Sequence, residues 1–185
     1  MKKLLLTFGV LLILSGCSKS DPNAPEILGS NSAPVIIEEF SDLECPNCAI
    51  ISPQIEAVVR ENPKLAQLHF YHHPLSSHPF AFVASEAAEC AGDQGNFWEF
   101  TDLVFQNQSD LNEDFLKKTA DTLKLNREDF DTCLDQRKYK SKIQAHLTEG
   151  QTRSIPGTPT IFVNGEEYQW AGKEGLMEEI NQRNN

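Results

Sequence analysis

The sequence lacks a cluster of basic residues, an apolar run long enough to span a bilayer, and a second closely spaced pair of cysteines. Its 185 residues carry a formal net charge of -11 and the lysines and arginines are scattered, which argues against a nucleic-acid partner. The apolar run over 4–14 is shorter than the roughly 20 residues of a transmembrane helix. Because Cys45 and Cys48 are the one close pair, no four-ligand zinc motif exists, and we expect neither a bound metal nor a cofactor.

Residues 1–16 have the composition of an export signal. Two lysines precede the apolar run, which ends in Leu14-Ser15-Gly16-Cys17 and resembles the lipobox of bacterial lipoproteins. The resemblance implies cleavage before Cys17 and attachment of lipid to it; an ordinary signal peptide with a chance cysteine is the alternative. Residues 17–32 are rich in Ser, Pro and Asn, and we expect them to form a flexible tether behind the lipid, within which Ile27-Leu28-Gly29 can add a short edge strand.

A lipid anchor of this kind would place the protein outside the cytoplasm. The expected location is the periplasmic side of an inner or outer membrane, or the outer face of the cell membrane. We expect the acyl chains to provide the anchoring, because a strongly acidic protein is not attracted to anionic lipid headgroups.

The motif Cys45-Pro46-Asn47-Cys48 lies between an apolar strand pattern and a helical pattern over 49–61. Pro46 suits the first helical position, so Cys45 is predicted at the helix N-terminus. Free N–H groups there stabilise a thiolate and lower the cysteine pKa to roughly 3.5–7.5. Cys48, one turn further on, can close a disulfide with Cys45, and we interpret the pair as a redox site. A zinc half-site and a purely structural disulfide are the alternatives.

A second disulfide is predicted from the remaining cysteines. If Cys17 carries lipid, the other four can pair as Cys45 with Cys48 and Cys90 with Cys133. Cys90 and Cys133 lie on the apolar stripes of separate predicted helices, and disulfides persist in exported proteins. Two buried free thiols that merely pack are the alternative.

The pattern of elements indicates an α/β fold with an inserted all-helical subdomain. A strand, helix and strand over 34–73 form a parallel βαβ unit, and the chain is helical from there until a strand and hairpin resume the sheet. We therefore predict an α/β domain made of 33–76 and 154–185, interrupted by a helical subdomain over 77–153 in which Asn126 caps a short helix. Glu38 and Glu39 are adjacent acids near the end of the first strand, and one of them must face inward or lie close to the site.

Several motifs, in order and over nearly all of the chain after the signal, resemble the DsbA-like branch of the thioredoxin superfamily. The resemblance implies a thioredoxin fold with a helical insertion. The motifs are Phe40-Ser41-Asp42 with Cys45-Pro46-Asn47-Cys48, His73-Pro74-Leu75, His78-Pro79, Ala88-Glu89-Cys90-Ala91 through Gly95-Asn96-Phe97-Trp98, Gly157-Thr158-Pro159-Thr160, and Val163-Asn164-Gly165.

The same resemblance implies roles for individual residues. Cys45 would be the exposed nucleophile and Cys48 its buried partner, with Pro159 as a cis-proline facing the disulfide. Thr158 would offer its backbone to an extended substrate segment. Glu39 matches a buried acid that takes or relays the proton of Cys48, and burial would raise its pKa.

The expected activity is that of a protein disulfide oxidase. It would donate the Cys45–Cys48 disulfide to reduced or misoxidised exported proteins, and a membrane redox partner would restore the disulfide. The dipeptide Pro46-Asn47 departs from the Pro-His of strong oxidants, because neutral Asn47 supplies no charge. Acidic Asp42 and Glu44 would also disfavour a thiolate, so an intermediate redox poise is predicted.

Two other functions compete with this one. A membrane electron donor could keep the cysteines reduced, making the protein a disulfide reductase or isomerase. Dimeric isomerases carry an added N-terminal domain, for which the short tether leaves no room, so we expect a monomer. A metal-binding or chaperone-like module would use His69, His72, His73 and His78, but strand alternation places His72 and His73 on opposite faces.

Overall fold

A five-stranded mixed sheet lies at the centre of the computed structural model, which describes residues 21–184. The strand order is β1-β3-β2-β4-β5; β2 and β3 are parallel and the other neighbouring pairs are antiparallel. The strands are β1 Glu26–Gly29, β2 Val35–Ser41, β3 Ala66–His72, β4 Thr160–Val163 and β5 Glu166–Tyr168.

Strand β2 lies at the centre of the sheet, and its Val35, Ile37 and Phe40 side chains are fully buried. Its register places Ile37 between Leu68 of β3 and Val163 of β4, so one apolar row crosses three strands. Helices α1 (Pro46–Glu61) and α7 (Gly172–Arg183) pack on this row through a cluster that includes Ile55, Val59, Leu176 and Ile180. The end of β2 is thereby fixed where the chain enters α1.

The helical insertion between β3 and β4 has its own apolar core. Asn112 and Asn126 cap two of its helices with side-chain oxygens, the second as the sequence predicts. Phe100 and Phe130 are fully buried in its core cluster. The arrangement confirms the predicted α/β fold with a helical insertion, whose helices are α2 Ala81–Gly92, α3 Phe97–Gln106, α4 Glu113–Thr122, α5 Arg127–Asp135 and α6 Lys140–Thr152.

A disulfide joins α2 to α5 through Cys90 and Cys133, whose Cα atoms lie 5.8 Å apart. The pairing is the one predicted from the cysteine count. Cys45 and Cys48 are both free and buried, so the structure describes the dithiol state of the second pair.

The tether predicted over 17–32 is too long. Glu26–Gly29 forms the edge strand β1, which pairs with β3, and Lys142 of α6 binds the Glu26 carboxylate at 2.7 Å. The edge strand suggested by Ile27-Leu28-Gly29 is thus present, and it is held by pairing with the edge of β3. The signal peptide over 1–16, Cys17 and the start of the tether lie outside the described residues. Within 21–184, no helix is both long enough and apolar enough to cross a membrane.

Replacing Cys90 and Cys133 together by serine should lower the free energy of unfolding. The bridge closes a loop with a sequence separation of 43 residues, and the chain-entropy model assigns such a closure roughly 4 kcal/mol. Urea unfolding followed by far-UV circular dichroism measures the change, with the wild type under reducing conditions as a second comparison. An unchanged unfolding midpoint would contradict a stabilising role.

Candidate active site

Cys45 lies at the N-cap of α1, and Pro46 takes the first helical position as predicted. Its backbone is extended, and its Sγ lies 3.3 Å from the carbonyl oxygen of Thr158. The Gln108 amide donates to the Cys45 carbonyl at 3.0 Å and covers the site from the helical insertion. Cys45 retains 6% of its surface while Cys48 has none, so the predicted exposed nucleophile is only narrowly accessible.

The environment of Cys45 favours a thiolate. The hydrogen bond from the Cys48 thiol is the main reason that the pKa of Cys45 falls to about 5. Burial opposes this fall, while the Thr158 side chain and the N–H groups of Cys48 and Asn47 add to it. These N–H groups belong to the first turn of α1, where no intrahelical acceptor exists.

The environment of Cys48, in contrast, favours the protonated thiol. Burial, the hydrogen bond to Cys45 and the negative charge of Glu39 all raise the pKa of the Cys48 thiol well above its ordinary value. The Asp42 N–H points at its sulfur at 3.5 Å. The two sulfurs therefore divide into a thiolate near the surface and a protonated thiol beneath it.

Glu39 is the inward-facing member of the acidic pair at the end of β2. It is fully buried, and the Ser52 hydroxyl of α1 donates to its Oε1. Burial raises the pKa of Glu39 to about 7, so its carboxyl can hold or release a proton near neutrality. Glu38 points the other way and binds Arg153 at 2.7 Å, which confirms that one acid of the pair faces the interior.

The Thr158–Pro159 peptide bond is cis, as the family resemblance implies. Next to it lies a groove of about 320 Å³, bounded by Asn47 and Ile51 of α1 on one side and by Tyr168 and Trp170 on the other. Asn47 therefore faces this groove, where it can contact a bound chain.

The sequence interpretation missed the role of Asp42. Its buried carboxylate accepts hydrogen bonds from the Glu44 N–H at 2.7 Å, the Leu75 N–H at 2.8 Å and His78 Nδ1 at 2.8 Å. Glu44 in turn accepts from the Phe80 N–H at 2.7 Å. The sequence analysis treats these two acids only as charges that disfavour a thiolate, whereas in the structure both also hold the loop that follows β3.

His78 brings a titratable group to the site, where Asn47 brings none. Burial works against its charge, but Asp42, Glu44 and the Cys45 thiolate together raise the pKa of His78. Its ring lies on the loop fixed by Asp42 and keeps about a quarter of its side chain exposed, at 23%. The only signal in the sequence was the His78-Pro79 motif, which carries no information about a partner 36 positions earlier.

The histidines do not form the predicted alternative metal site. His69 contacts Gln67, His72 contacts Glu89, and His78 contacts Asp42. In the part of the chain that the structure describes, no three His, Cys, Asp or Glu side chains are grouped so as to hold a metal ion.

Comparison with known proteins identifies the family of this chain. A family model described as thioredoxin matches residues 22–181. The chain belongs to the thioredoxin family. A second model, for a prokaryotic membrane lipoprotein lipid attachment site, matches residues 1–18 and supports the predicted attachment at Cys17.

Solved structures share the fold at low sequence identity. Oxidised BdbD from Bacillus subtilis superposes with a TM-score of 0.75 at 24% identity, covering 89% of this chain and 94% of that one. The thiol-disulfide exchange protein alpha-DsbA2 from Wolbachia pipientis gives a TM-score of 0.78 at 15% identity, covering 88% of each chain. DsbA2 from Pseudomonas aeruginosa gives a TM-score of 0.69 at 24% identity, covering 89% of this chain and 96% of that one. These likenesses support the thioredoxin fold with a helical insertion.

Curated relatives match over part of their length. The Na(+)/H(+) antiporter NhaA 1 from Salinispora arenicola is 36% identical over 149 residues, which are 80% of this chain and 23% of the antiporter. This chain thus spans about a quarter of the curated relatives it matches, and ion transport is not inferred from the likeness.

Replacing Cys48 by alanine should raise the pKa of Cys45 from about 5, because it removes the hydrogen bond that lowers the pKa most. A hydrogen bond to a charged group contributes about 1.5–3 kcal/mol, which corresponds to a rise of roughly one to two units. Absorbance at 240 nm of the reduced protein across pH follows the thiolate. The same titration in a Cys45→Ala variant, which keeps Cys48, should show no thiolate at neutral pH.

Replacing His78 by glutamine should also raise the Cys45 pKa and make the Cys45–Cys48 pair less oxidising. The imidazolium favours the thiolate, and a stabilised thiolate stabilises the reduced form. Thiolate titration and equilibration with glutathione measure the two quantities. His69→Gln on β3 is the matched control and should leave the Cys45 pKa and the reduction potential unchanged. If His78→Gln and His69→Gln give the same pKa and the same potential, an electrostatic role for His78 is excluded.

Proposed function

We propose that the protein is a thiol-disulfide oxidoreductase that donates its Cys45–Cys48 disulfide to exported proteins. The observation that carries this proposal is the opposite perturbation of the two thiols, with the pKa of Cys45 lowered to about 5 and that of Cys48 raised. A cysteine pair with these properties at a helix N-terminus is suited to thiol-disulfide exchange, because the low-pKa Cys45 sulfur is a good leaving group from a mixed disulfide.

The reaction begins when a substrate thiolate attacks Cys45 Sγ of the oxidised protein. The Cys45–Cys48 bond breaks, a mixed disulfide forms, and Cys48 leaves as a thiolate that takes a proton from the Glu39 carboxyl. A second substrate thiolate then attacks the substrate sulfur of the mixed disulfide. Cys45 leaves as a thiolate, and two electrons have passed from the substrate dithiol to the protein. The low pKa of Cys45 favours this last step because it stabilises the leaving group.

The substrate segment is proposed to lie across the Thr158–Pro159 turn. The Thr158 carbonyl oxygen faces Cys45 Sγ at 3.3 Å, so an extended chain at this turn brings its cysteine next to the nucleophile. Pro159 leaves its own backbone without an N–H donor, and the adjoining groove beside Asn47 and Trp170 accepts side chains of the bound segment.

Known relatives support the same chemistry. The Wolbachia neighbour is described as a thiol-disulfide exchange protein, and a Mycobacterium tuberculosis neighbour, DsbG, as a disulfide bond oxidoreductase with a TM-score of 0.70.

With lipid at Cys17, the protein acts at the outer side of a bacterial membrane. It acts as a monomer, and a membrane redox partner restores its Cys45–Cys48 disulfide.

Oxidation is preferred over reduction or isomerisation as the direction of transfer. The stabilised Cys45 thiolate favours the reduced form, so the disulfide form is the reactive one. Trapping the thiols in intact cells by acid quench and alkylation distinguishes the directions. A largely disulfide-bonded Cys45–Cys48 pair supports an oxidase; a largely reduced pair assigns the protein to the reductases or isomerases.

The full chain, purified in detergent and oxidised, should rapidly oxidise a reduced test peptide that contains two cysteines. Cys45→Ala should abolish this activity because no sulfur remains to accept the substrate. The Cys90→Ser, Cys133→Ser double variant keeps the redox pair and should retain activity where it is folded. Full activity in Cys45→Ala would refute the proposal.

A further inference from the structure

Polar side chains follow one another at four-residue spacing along the inner face of α1. Cys48, Ser52 and Glu56 are buried, with exposures of 0%, 0% and 3%. The next member, Arg60, has 45% of its side chain exposed. Because residues four apart stack on one face of a helix, the series runs from the buried thiol to solvent.

Hydrogen bonds connect Glu39 of β2 to this series. The Ser52 hydroxyl donates to Glu39 Oε1, and the Ser41 and Ser52 hydroxyl oxygens lie 3.1 Å apart. One turn further along the helix, Arg60 donates to Glu56 Oε2 at 3.3 Å. In residues 21–184, Glu39 Oε2 and Glu56 Oε1 are buried and have no hydrogen-bond partner. Each of these oxygens is free to carry a proton.

The charges around Glu56 keep it able to exchange a proton near neutral pH. Burial, Asp102 of α3 and Glu39 of β2 raise the pKa of Glu56 to about 8, while Arg60 on the same helix lowers it. Burial and neighbouring Glu99 also raise the pKa of Asp102, which Arg60 lowers. Glu39 and Glu56 influence each other as like charges, so one ionises more readily when the other holds a proton.

Glu39 needs such a neighbour because it is fully buried and has no direct access to water. In each catalytic cycle it must give a proton to Cys48 and then recover one. Glu56 lies one helical turn beyond Ser52 toward the exposed Arg60 and interacts electrostatically with Glu39, so its carboxyl is a candidate source of that proton.

We propose that Glu56 is the second station of a proton route that runs from Cys48 through Glu39 and the Ser52 hydroxyl to solvent at Arg60. When the disulfide is reduced, Glu39 protonates the Cys48 thiolate, Glu56 reprotonates Glu39 through Ser52, and solvent reprotonates Glu56. When the disulfide is restored, the proton leaves by the same groups in reverse order. The inference rests on the proposed function, since it concerns the proton that accompanies thiol-disulfide exchange.

Glu56→Gln tests the route while conserving shape and the contact with Arg60. The rate of reduction of the oxidised full chain by dithiothreitol is measured from pH 6 to 9 by acid quench and alkylation. The matched control is Glu61→Gln, an exposed position on the same helix. Glu56→Gln should react about three- to tenfold more slowly than the control, below the roughly 100-fold of direct general acid catalysis. The ratio should change with pH through the range in which Glu39 and Glu56 titrate.

A double variant distinguishes a relay from a structural role. Glu39→Gln alone should slow the reaction more than Glu56→Gln, and the Glu39→Gln, Glu56→Gln variant should be no slower than Glu39→Gln. Additive effects, a ratio that does not change with pH, or a rate equal to that of the control would each overturn the route.

Wild-type titration gives an independent readout should Glu56→Gln fail to fold. Carbon-13 NMR of the side-chain carboxyls in the oxidised protein should show that Glu39 and Glu56 titrate in two coupled steps. Independent titrations would overturn the route. If the Cys45 thiolate of Cys48→Ala does not attack the disulfide of an oxidised test peptide to form a mixed disulfide and release the second peptide thiolate, the proposed function fails. If the mixed disulfide forms while Glu56→Gln matches its control, only the proton route fails.

Discussion

The N-terminus of α1 at Cys45 is the constraint on which the other features of the site depend. Strand β2 is fixed between β3 and β4, and the helix begins within a few residues of its end. That short connection gives Cys45 the unpaired N–H groups of a first turn and buries Cys48 one turn below. A single local geometry thus gives two neighbouring sulfurs opposite affinities for a proton.

Acidic residues are numerous in this chain, and those at the site have separate tasks. Asp42 organises the loop after β3 and binds His78, Glu39 exchanges a proton with Cys48 in the proposed reaction, and Glu38 binds Arg153 outside the core. Their different burial and partners give adjacent carboxylates such as Glu38 and Glu39 different roles. Net charge therefore says little about the local field at Cys45, where a histidine and helix N–H groups oppose the surrounding acids.

Features that depend on local sequence were predictable. The CxxC motif with Pro46 defined the helix start, and Asn126 defined a cap, because each acts through its own backbone neighbourhood. The Cys90–Cys133 bridge followed from the cysteine count and the apolar stripes. Features that depend on distant partners were not: the Asp42–His78 contact joins residues on either side of α1 and β3, and Glu56 occupies a helical position that looks ordinary until α3 and β2 are placed beside it.

The direction of β1 has a consequence for how the molecule stands on a membrane. Glu26 pairs with Phe70 near the end of β3, and β2 and β3 both run toward the end of the sheet at which Cys45 lies. The chain therefore enters the fold at the catalytic end, about nine residues after Cys17. Before β1 the chain is already held against the fold, because the Ala24 N–H donates to the Asp21 carbonyl and the Asn23 carbonyl lies 2.9 Å from His146 Nε2 of α6. A lipid at Cys17 would therefore be attached close to the end of the sheet that carries Cys45 and Cys48, not to the opposite end.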